Sequence, residues 1–170
     1  MRSLIVTAMA IAILGATPAF AQGAPVNPQI DYSGFMQLTL EVAPYRETRR
    51  VSLDDFMGKA GDEGAIILDT RSAEAFSQGH LKGAINLPFS DFTEEKLAKV
   101  LGANTSRPIL IYCNNNFSDG VAPVATKRAP LALNIPTFIN LYGYGYTNIW
   151  ELADVVKIAE VEWVTSSSQT

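Results

Sequence analysis

Ala65-Ile66-Ile67-Leu68-Asp69 and Pro108-Ile109-Leu110-Ile111-Tyr112-Cys113 are the two stretches that decide the fold. Each contains a continuous apolar run of the length of one strand, and such a run predicts a β-strand buried on both faces. Asp69 ends the first stretch and Cys113 ends the second. Because ligands of parallel sheets bind at the carboxyl ends of the strands, the pattern places the thiol where a site is expected.

Short helical segments are predicted between these strands. We expect helices over 52–59, over 72–78, from Ser90 or Asp91 to Leu101, and from near Pro136 to near Gly143, with further strands over 84–87 and 147–150. The segment Gly34–Arg46 fits either a strand or a helix ended by Pro44, and we favour the helix. Strands that alternate with helices indicate crossover connections, and therefore an α/β fold with a parallel sheet.

Composition narrows the range of functions. The chain has 170 residues, of which 48% are hydrophobic and 18% charged, as expected of one globular domain. The net charge is −4, whereas proteins that bind nucleic acid usually carry a basic surface. With one cysteine and one histidine, the sequence has no disulfide framework, no CxxC redox pair and no Cys/His zinc site. Any thiol chemistry must pass through Cys113 alone.

The first residues resemble a secretory signal peptide. Arg2 supplies a positive charge, Leu4–Leu14 is almost wholly apolar, and Ala19-Phe20-Ala21 is a cleavage signal. The apolar run is shorter than the about 20 residues of a membrane-spanning helix, although an uncleaved anchor is the alternative. We expect cleavage after Ala21, no stable membrane association afterwards, and a periplasmic or secreted protein. In that oxidising compartment Cys113 is a free thiol or an intermolecular partner.

The loop after the second strand has a composition suited to holding an anion. Asparagine tolerates the left-handed backbone conformation, so Asn114-Asn115-Asn116 permits a tightly curled loop whose N–H groups turn inward. A sulfur within such a loop is expected to have a pKa below its usual value near 8.5. The alternative is that Cys113 is a small buried hydrophobic residue and that the asparagines form a solvated turn.

Three stretches resemble the signatures of the rhodanese-like domain family. The first comprises Asp69-Thr70-Arg71, Glu74-Ala75-Phe76 and Gly79-His80-Leu81-Lys82-Gly83-Ala84-Ile85-Asn86-Leu87-Pro88. The second, Ile109-Leu110-Ile111-Tyr112-Cys113, is similar to the strand before the family's catalytic cysteine, and the third is Gly145-Tyr146-Thr147-Asn148-Ile149-Trp150. The resemblance covers about Val51 to Leu152. It implies a single α/β domain, a parallel sheet flanked by helices on both faces, and transfer of sulfane sulfur through a persulfide.

The resemblance also implies a domain organisation and a set of site residues. We expect a signal peptide over 1–21, an N-terminal extension over 22–50 that packs on the domain, the rhodanese-like domain over 51–164, and a polar tail over 165–170. Cys113 is the expected nucleophile and sulfur carrier. The implied cradle is formed by the backbone amides of Asn114, Asn115, Asn116, Phe117 and Ser118, and Phe117 is expected to shield a persulfide from water. Asp69 and Arg71 are supporting residues, as an ion pair at the strand end, and His80 is expected to be a structural turn residue. No metal or organic cofactor is implied.

The loop departs from the family pattern. Asn116 replaces a glycine, and Ser118-Asp119 replaces the Arg-Ser of members that use thiosulfate. Since thiosulfate is a dianion and arginine is the usual partner of such oxyanions, a neutral or bulky persulfide donor fits better. The missing arginine also argues against the phosphatase and arsenate-reductase branches of the fold. The insertion over 119–134 is a candidate lid or docking flap, or else a surface excursion, and Lys127 or Arg128 is expected to return positive charge to the site.

The sequence therefore predicts a rhodanese-like sulfurtransferase or persulfide carrier. Its partners are a sulfane-sulfur donor and a thiol acceptor, either small molecules or proteins, and nucleic acid is not among them. Two alternatives remain open: a non-catalytic rhodanese-like binding module that uses the long loop after Cys113, and a thiol redox sensor. The natural donor and acceptor and the oligomeric state do not follow from the sequence.

Overall fold

A computed structural model of the chain describes residues 27–119 and 124–166. The helices are α1 (Tyr32–Glu47), α2 (Leu53–Ala60), α3 (Ala73–Gln78), α4 (Glu94–Leu101) and α5 (Asn134–Gly143). The strands are β1 (Arg50–Val51), β2 (Ile66–Asp69), β3 (His80–Leu81), β4 (Ala84–Asn86), β5 (Ile109–Tyr112), β6 (Ile149–Leu152) and β7 (Trp163–Val164). All of these elements belong to one compact unit, Tyr32–Thr170, and of the other unit, Met1–Asp31, residues 27–31 are described.

The strands form a five-stranded parallel sheet in the order β1-β6-β5-β2-β4 and a small antiparallel pair, β3-β7. The predicted α/β class and parallel sheet are confirmed. In the register of β2 and β5, Asp69 lies opposite Tyr112. Cys113 follows Tyr112 directly, so the two polar strand ends lie side by side at the carboxyl edge of the sheet.

Helices cover both faces of the sheet, because alternate residues of each central strand point to opposite sides. Ile109 and Ile111 of β5 pack in one apolar cluster with residues of α1, α4 and α5. Leu110 and Tyr112 pack in a second cluster with Phe56 of α2 and with Phe117. The two clusters account for the continuous apolar runs of β2 and β5, which are buried at every position.

The helix starts follow local capping. Ser52 and Ser72, the first residues of the predicted helices over 52–59 and 72–78, cap α2 and α3 by accepting from backbone N–H groups of the first turn. The predicted cap of α4 is wrong: Ser90 and Asp91 lie in a separate 3-10 turn, and Thr93 is the cap. Partly buried Phe92 packs against the first cluster in an extended conformation, which separates this turn from the helix.

The helix favoured for the N-terminal segment is present, but it does not end at Pro44. α1 continues to Glu47 because its last turn is held by tertiary contacts. The Tyr45 ring packs against Phe138 and Tyr142 of α5, and Tyr45 Oη donates to the carbonyl of Thr147 at 2.6 Å. These contacts attach α1 to α5.

Several expectations lie outside the described residues. The signal peptide over 1–21, positions 120–123 of the insertion and the end of the polar tail are among them. Within 27–119 and 124–166, none of the helices has the length and apolar composition needed to cross a membrane.

Candidate functional site

Cys113 lies at the carboxyl end of β5 and is 1% exposed. Its sulfur-bearing side chain lines two cavities. The larger, of about 470 Å³, is also lined by Arg71, Asn115 and Lys127. The smaller, of about 160 Å³, is also lined by Arg46 and Glu151, among others. A thiol that is buried in this way can be approached through these cavities.

Three backbone N–H groups point to the Cys113 sulfur, and two of them come from a distant part of the chain. They belong to Asn134 and Leu133, at the start of α5, and to Asn115 in the loop. Burial is the largest influence on the thiol and raises its pKa, whereas these hydrogen bonds lower it. The net effect raises the pKa of Cys113 above its usual value. The predicted lowering of the Cys113 pKa is therefore wrong, because burial raises the pKa by more than the three hydrogen bonds lower it.

Of the implied cradle of consecutive loop amides, Asn115 directs its N–H to the sulfur, whereas Phe117 and Ser118 donate elsewhere. Residues 114–116 form a 3-10 turn, in which Asn116 N–H donates to the carbonyl of Cys113 at 3.0 Å and Phe117 N–H donates to that of Asn114 at 3.1 Å. Ser118 N–H donates to the carbonyl of Val156 at 2.9 Å. These three amides are directed to carbonyl groups, so the start of α5 supplies most of the donors that the loop was expected to supply.

The three asparagines act through their side chains and not through unusual backbone angles. Among the described residues, every residue with positive φ is a glycine. Asn114 Nδ2 donates to the carbonyl of Ala125 at 2.9 Å. Asn115 Nδ2 donates to the carbonyl of Lys127 at 2.7 Å, and Asn115 Oδ1 accepts from Lys127 N–H at 3.1 Å. The insertion is thereby attached to the loop over 124–128.

Asn116 is the buried asparagine and connects three elements. Its Oδ1 accepts from Cys113 N–H at 3.0 Å and from Asn134 Nδ2 at 3.1 Å. Its Nδ2 donates to the carbonyls of Leu152 and Asp154 at 2.8 and 3.0 Å. The glycine of the family pattern carries no side chain, so this arrangement is specific to a chain with asparagine at position 116.

Asp69 and Arg71 form a buried ion pair next to the site. They are 0% and 4% exposed, and the Arg71 guanidinium binds both carboxylate oxygens. Asp69 also accepts from Tyr112 Oη at 2.6 Å, and Arg71 donates to the Gly79 carbonyl at 2.7 Å and to Asn114 Oδ1 at 3.2 Å. Burial alone would lower the pKa of Arg71, but the hydrogen bond and charge of Asp69 raise it. This arrangement supports a structural role for both residues.

Lys127 and Arg128 have different surroundings. Lys127 lines the larger cavity of Cys113, and in the described part of the chain no carboxylate forms an ion pair with it. Arg128 lines a separate apolar groove beside α1 and α5 and does not line either Cys113 cavity in the described ranges. Lys127 therefore contributes positive charge near the sulfur. The Asp119 carboxylate accepts from Ile158 N–H at 3.1 Å.

Phe117 and His80 pack away from the sulfur. The Phe117 ring makes edge contacts with Tyr112 and Trp163 in the second cluster, so its expected shielding role is wrong. His80 is in β3, where its ring stacks on Phe76 and its Nδ1 is 2.7 Å from the Phe76 carbonyl. Among the described residues, neither side chain lines a cavity shared with Cys113.

Four residues of the site were missed in the sequence: Arg46, Leu133, Asn134 and Glu151. An asparagine two residues before Pro136 is a weak sign of a helix start, since proline favours the first turn. Nothing local marks Arg46 or Glu151 as partners. Within 27–119 and 124–166, no group of three or more His, Cys, Asp or Glu side chains is arranged to hold a metal ion.

Comparison with known proteins agrees with this architecture. The family model of the rhodanese-like domain matches residues 52–154. The chain is 27% identical over 99 residues to an uncharacterised protein of Bacillus subtilis, covering 58% of this chain and 75% of that protein. It is 32% identical over 80 residues to the thiosulfate sulfurtransferase GlpE of Pseudomonas putida, covering 45% of this chain and 66% of the relative.

The solved structures that resemble this chain have lower sequence identity to it than these two relatives do. The BH2092 protein of Bacillus halodurans is 19% identical with a TM-score of 0.46, covering 76% of this chain and 77% of that chain. A rhodanese with anions from Escherichia coli is 21% identical with a TM-score of 0.39, covering 60% of this chain and 99% of that chain. The family match spans more than half of the sequence, and the chain belongs to the rhodanese-like domain family.

Proposed function

We propose that the protein is a sulfurtransferase that carries sulfane sulfur as a persulfide on Cys113. The observation that carries the proposal is the placement of this thiol at the carboxyl edge of the sheet, facing a cavity and three backbone N–H groups. Backbone donors that do not need to reorganise favour negative charge on sulfur as it develops. The membership of the family, one of whose relatives is named a thiosulfate sulfurtransferase, supports the same chemistry.

The proposed reaction has two transfers at sulfur. The Cys113 thiolate attacks the outer sulfur of a persulfide donor R–S–SH, the donor's S–S bond breaks, and the donor leaves as R–S⁻. An acceptor thiolate then attacks the outer sulfur of Cys113–S–SH, which forms the acceptor persulfide and regenerates the Cys113 thiolate. Each step exchanges one S–S bond for another, so neither needs an external oxidant or reductant.

The charges around the sulfur favour a persulfide donor over thiosulfate. Arg71 is paired with Asp69, which leaves Lys127 as the cation of the larger cavity that lacks a carboxylate partner among the described residues. Thiosulfate is a dianion, and recognition of such oxyanions usually relies on paired donors of a free arginine. The name of the Pseudomonas relative refers to thiosulfate, so the donor is a point on which we expect the two proteins to differ.

The burial of Cys113 also favours a second candidate, a rhodanese-like binding module without catalysis. The thiol is 1% exposed and its pKa is raised by burial, both of which reduce the reactivity of a nucleophile. In that case the insertion over 119–134 would serve as the contact surface for a partner.

Intact mass spectrometry separates the two candidates. The reduced protein is mixed with glutathione persulfide, polysulfide or thiosulfate, and its mass is compared with that of Cys113→Ser. We expect a gain of one sulfur from the persulfide donors, loss of that sulfur upon addition of a thiol acceptor, and no gain in Cys113→Ser. A wild-type protein that gains no sulfur from any of the three donors would favour the binding module.

We also propose that the protein is exported and that residues 51–164 carry the sulfur site. The support is the sequence Arg2, Leu4–Leu14 and Ala19-Phe20-Ala21, which is typical of a cleaved signal peptide. A periplasmic or secreted location follows if the intact mass of the protein made by the cell corresponds to a chain that begins at Gln22. A mass that includes residues 1–21 would contradict this proposal.

A further inference from the structure

A partly buried ion pair between Arg46 and Glu151 lines the smaller of the two cavities that Cys113 lines. Arg46 Nε and Nη2 donate to the two carboxylate oxygens of Glu151, each at 2.6 Å. The side chains are 22% and 6% exposed. Both residues line the smaller cavity, which Cys113 also lines.

The carboxylate of Glu151 is connected to the groups that surround the sulfur. Glu151 Oε1 accepts from Asn134 Nδ2 at 3.4 Å, and the same Nδ2 donates to Asn116 Oδ1 at 3.1 Å. Asn134 directs its backbone N–H to the Cys113 sulfur, and Asn116 Oδ1 holds the Cys113 N–H. A continuous set of hydrogen bonds therefore runs from Arg46 to the backbone around the thiol.

The charge of Glu151 acts on the thiol as well. Among the influences on Cys113, Glu151 is a minor one that disfavours the thiolate by repulsion. A carboxylate next to a thiol disfavours the thiolate form unless a cation neutralises the carboxylate. Arg46 supplies this cation from α1, which precedes the family-matched residues 52–154. The family motifs therefore did not point to it.

We propose that Arg46 and Glu151 are a positioning pair for Cys113: Arg46 neutralises Glu151, and Glu151 fixes Asn134 so that its backbone N–H faces the sulfur. The role assigned to the pair in sulfur transfer rests on the proposed function. Its effect on the ionisation of the thiol does not, and this effect can be measured in the absence of any sulfur donor.

Other charged groups near the thiol remain constant in the test. The larger cavity contributes Arg71, paired with Asp69, together with Lys127 and Asp91, and the smaller contributes Arg50 besides the pair itself. Changes confined to Arg46 and Glu151 leave all of these in place.

The test compares variants that shift the local charge in opposite directions. Arg46→Met leaves the Glu151 carboxylate without its cation, so we expect the thiolate fraction of Cys113 at neutral pH to fall about tenfold. Glu151→Gln keeps an amide oxygen for Asn134 and leaves Arg46 with the exposed Glu47, at 3.6 Å, in place of its close partner, so we expect the thiolate fraction to rise about tenfold. The thiolate is followed directly by its ultraviolet absorbance as pH is raised, with Cys113→Ser as the blank.

Two further variants separate this role from a purely structural one. Arg49→Met is the matched control, because Arg49 stacks on the rings of Tyr45 and Trp150 and forms no ion pair with Glu151. It is expected to leave the titration unchanged. Arg46→Met/Glu151→Met removes both charges, and it keeps the test informative if Arg46→Met alone fails to fold, since paired apolar replacements are usually tolerated. In the double variant we expect sulfur loading to slow several-fold, because Asn134 Nδ2 loses Glu151 as an acceptor and is held by Asn116 Oδ1 alone.

The proposal is tested by whether Arg46→Met and Glu151→Gln shift the titration of Cys113 in opposite directions. If Arg46→Met and Glu151→Gln shift the titration in the same direction, or no further than Arg49→Met does, the pair has no specific influence on Cys113 and the proposal is wrong. If the shifts are opposite but the wild-type protein gains no sulfur from any donor, the positioning pair stands and the sulfurtransferase proposal fails.

Discussion

The carboxyl ends of β2 and β5 lie side by side, yet they are built in different ways. The end of β2 carries a full positive and a full negative charge, Arg71 and Asp69, which are buried and paired with each other. The end of β5 carries a neutral thiol and three neutral amides, whose side chains bind to other segments of the chain. Arg71 and Asp69 are paired with each other, and Arg71 lines the larger cavity, whereas Cys113 at the neutral end lines both cavities.

The difference shows that charge at a sheet edge is a poor guide to reactivity. Arg71 and Asp69 attract attention in the sequence, but each neutralises the other and both are held by Tyr112 and Gly79. The environment of Cys113 is set by burial, by backbone N–H groups and by the charge of Glu151, which lines the smaller cavity. We therefore expect substitutions at the β2 end to change stability and substitutions at the β5 end to change reactivity.

Removal of Arg71 should produce the largest change in stability. Arg71→Met leaves the Asp69 carboxylate buried without its cation, which we expect to lower the free energy of unfolding by about 3–5 kcal/mol. Urea denaturation gives this value directly.

The control for this prediction is Lys82→Met, which removes one partner of the exposed ion pair between Lys82 and Glu162. Exposed pairs contribute little, so no resolvable change is expected there. If Arg71→Met and Lys82→Met lower the free energy of unfolding equally, the buried pair at the end of β2 contributes no more to stability than an exposed pair does.

Substitutions of two asparagines after β5 should have different effects, one mainly on stability and the other mainly on access to Cys113. Asn116→Ala removes the acceptor of the buried Cys113 N–H, and we expect it to lower the free energy of unfolding by about 2 kcal/mol. Asn115→Ala keeps the backbone N–H that faces the sulfur but releases the segment at Lys127. We expect a loss of about 1 kcal/mol or less and alkylation of Cys113 that is several-fold faster.

Alkylation is measured with iodoacetamide on each folded variant. Asn104→Ala is the matched control, since Asn104 is an exposed asparagine whose side chain accepts from Ser106 N–H outside both cavities. If Asn115→Ala and Asn104→Ala are alkylated at the rate of the wild-type protein, the insertion does not restrict access to the thiol.

The smallest expected effect is the dependence of stability on pH. The pKa of Cys113 is raised by burial in the folded protein, so the thiol ionises first in the unfolded chain. Its contribution to stability is complete below about pH 8.5, the usual thiol pKa, and is lost as pH rises above that value.

Urea denaturation of wild-type protein and Cys113→Ser over this pH range measures the contribution. We expect the difference in stability to move in favour of Cys113→Ser as pH rises. Ionisation of buried Tyr112, whose pKa is also raised by burial, affects both proteins equally and cancels in the difference. A difference that is independent of pH would contradict the buried, protonated thiol.

Much of the fold follows from local patterns. The runs that end at Asp69 and Cys113 are adjacent parallel strands, and the helices capped by Ser52 and Ser72 begin within one residue of their predicted starts. Such signals are reliable because they depend on residues a few positions apart. The end of α1 and the start of α4 were mispredicted because Tyr45 and Phe92 pack against distant residues, which local patterns do not register.

The sequence predicted the position of Cys113 at the carboxyl edge of the sheet but not the groups that surround it. The asparagines were expected to curl the backbone, whereas their side chains bind other segments. The lowered pKa was inferred from donors alone, and the burial that opposes them is a property of the packed molecule. A local sequence pattern identifies the residue type but does not show how deeply the side chain is buried in the folded protein.

The sequence by itself determined the α/β class, the family and the single thiol through which its chemistry must pass, because these depend on composition and on patterns between near neighbours. The tertiary structure alone decided that Leu133 and Asn134 present their N–H groups to Cys113 and that Arg46 neutralises Glu151 beside it. These groups are far apart in the chain, and only the packing of α1 and α5 against the sheet brings them together around one sulfur.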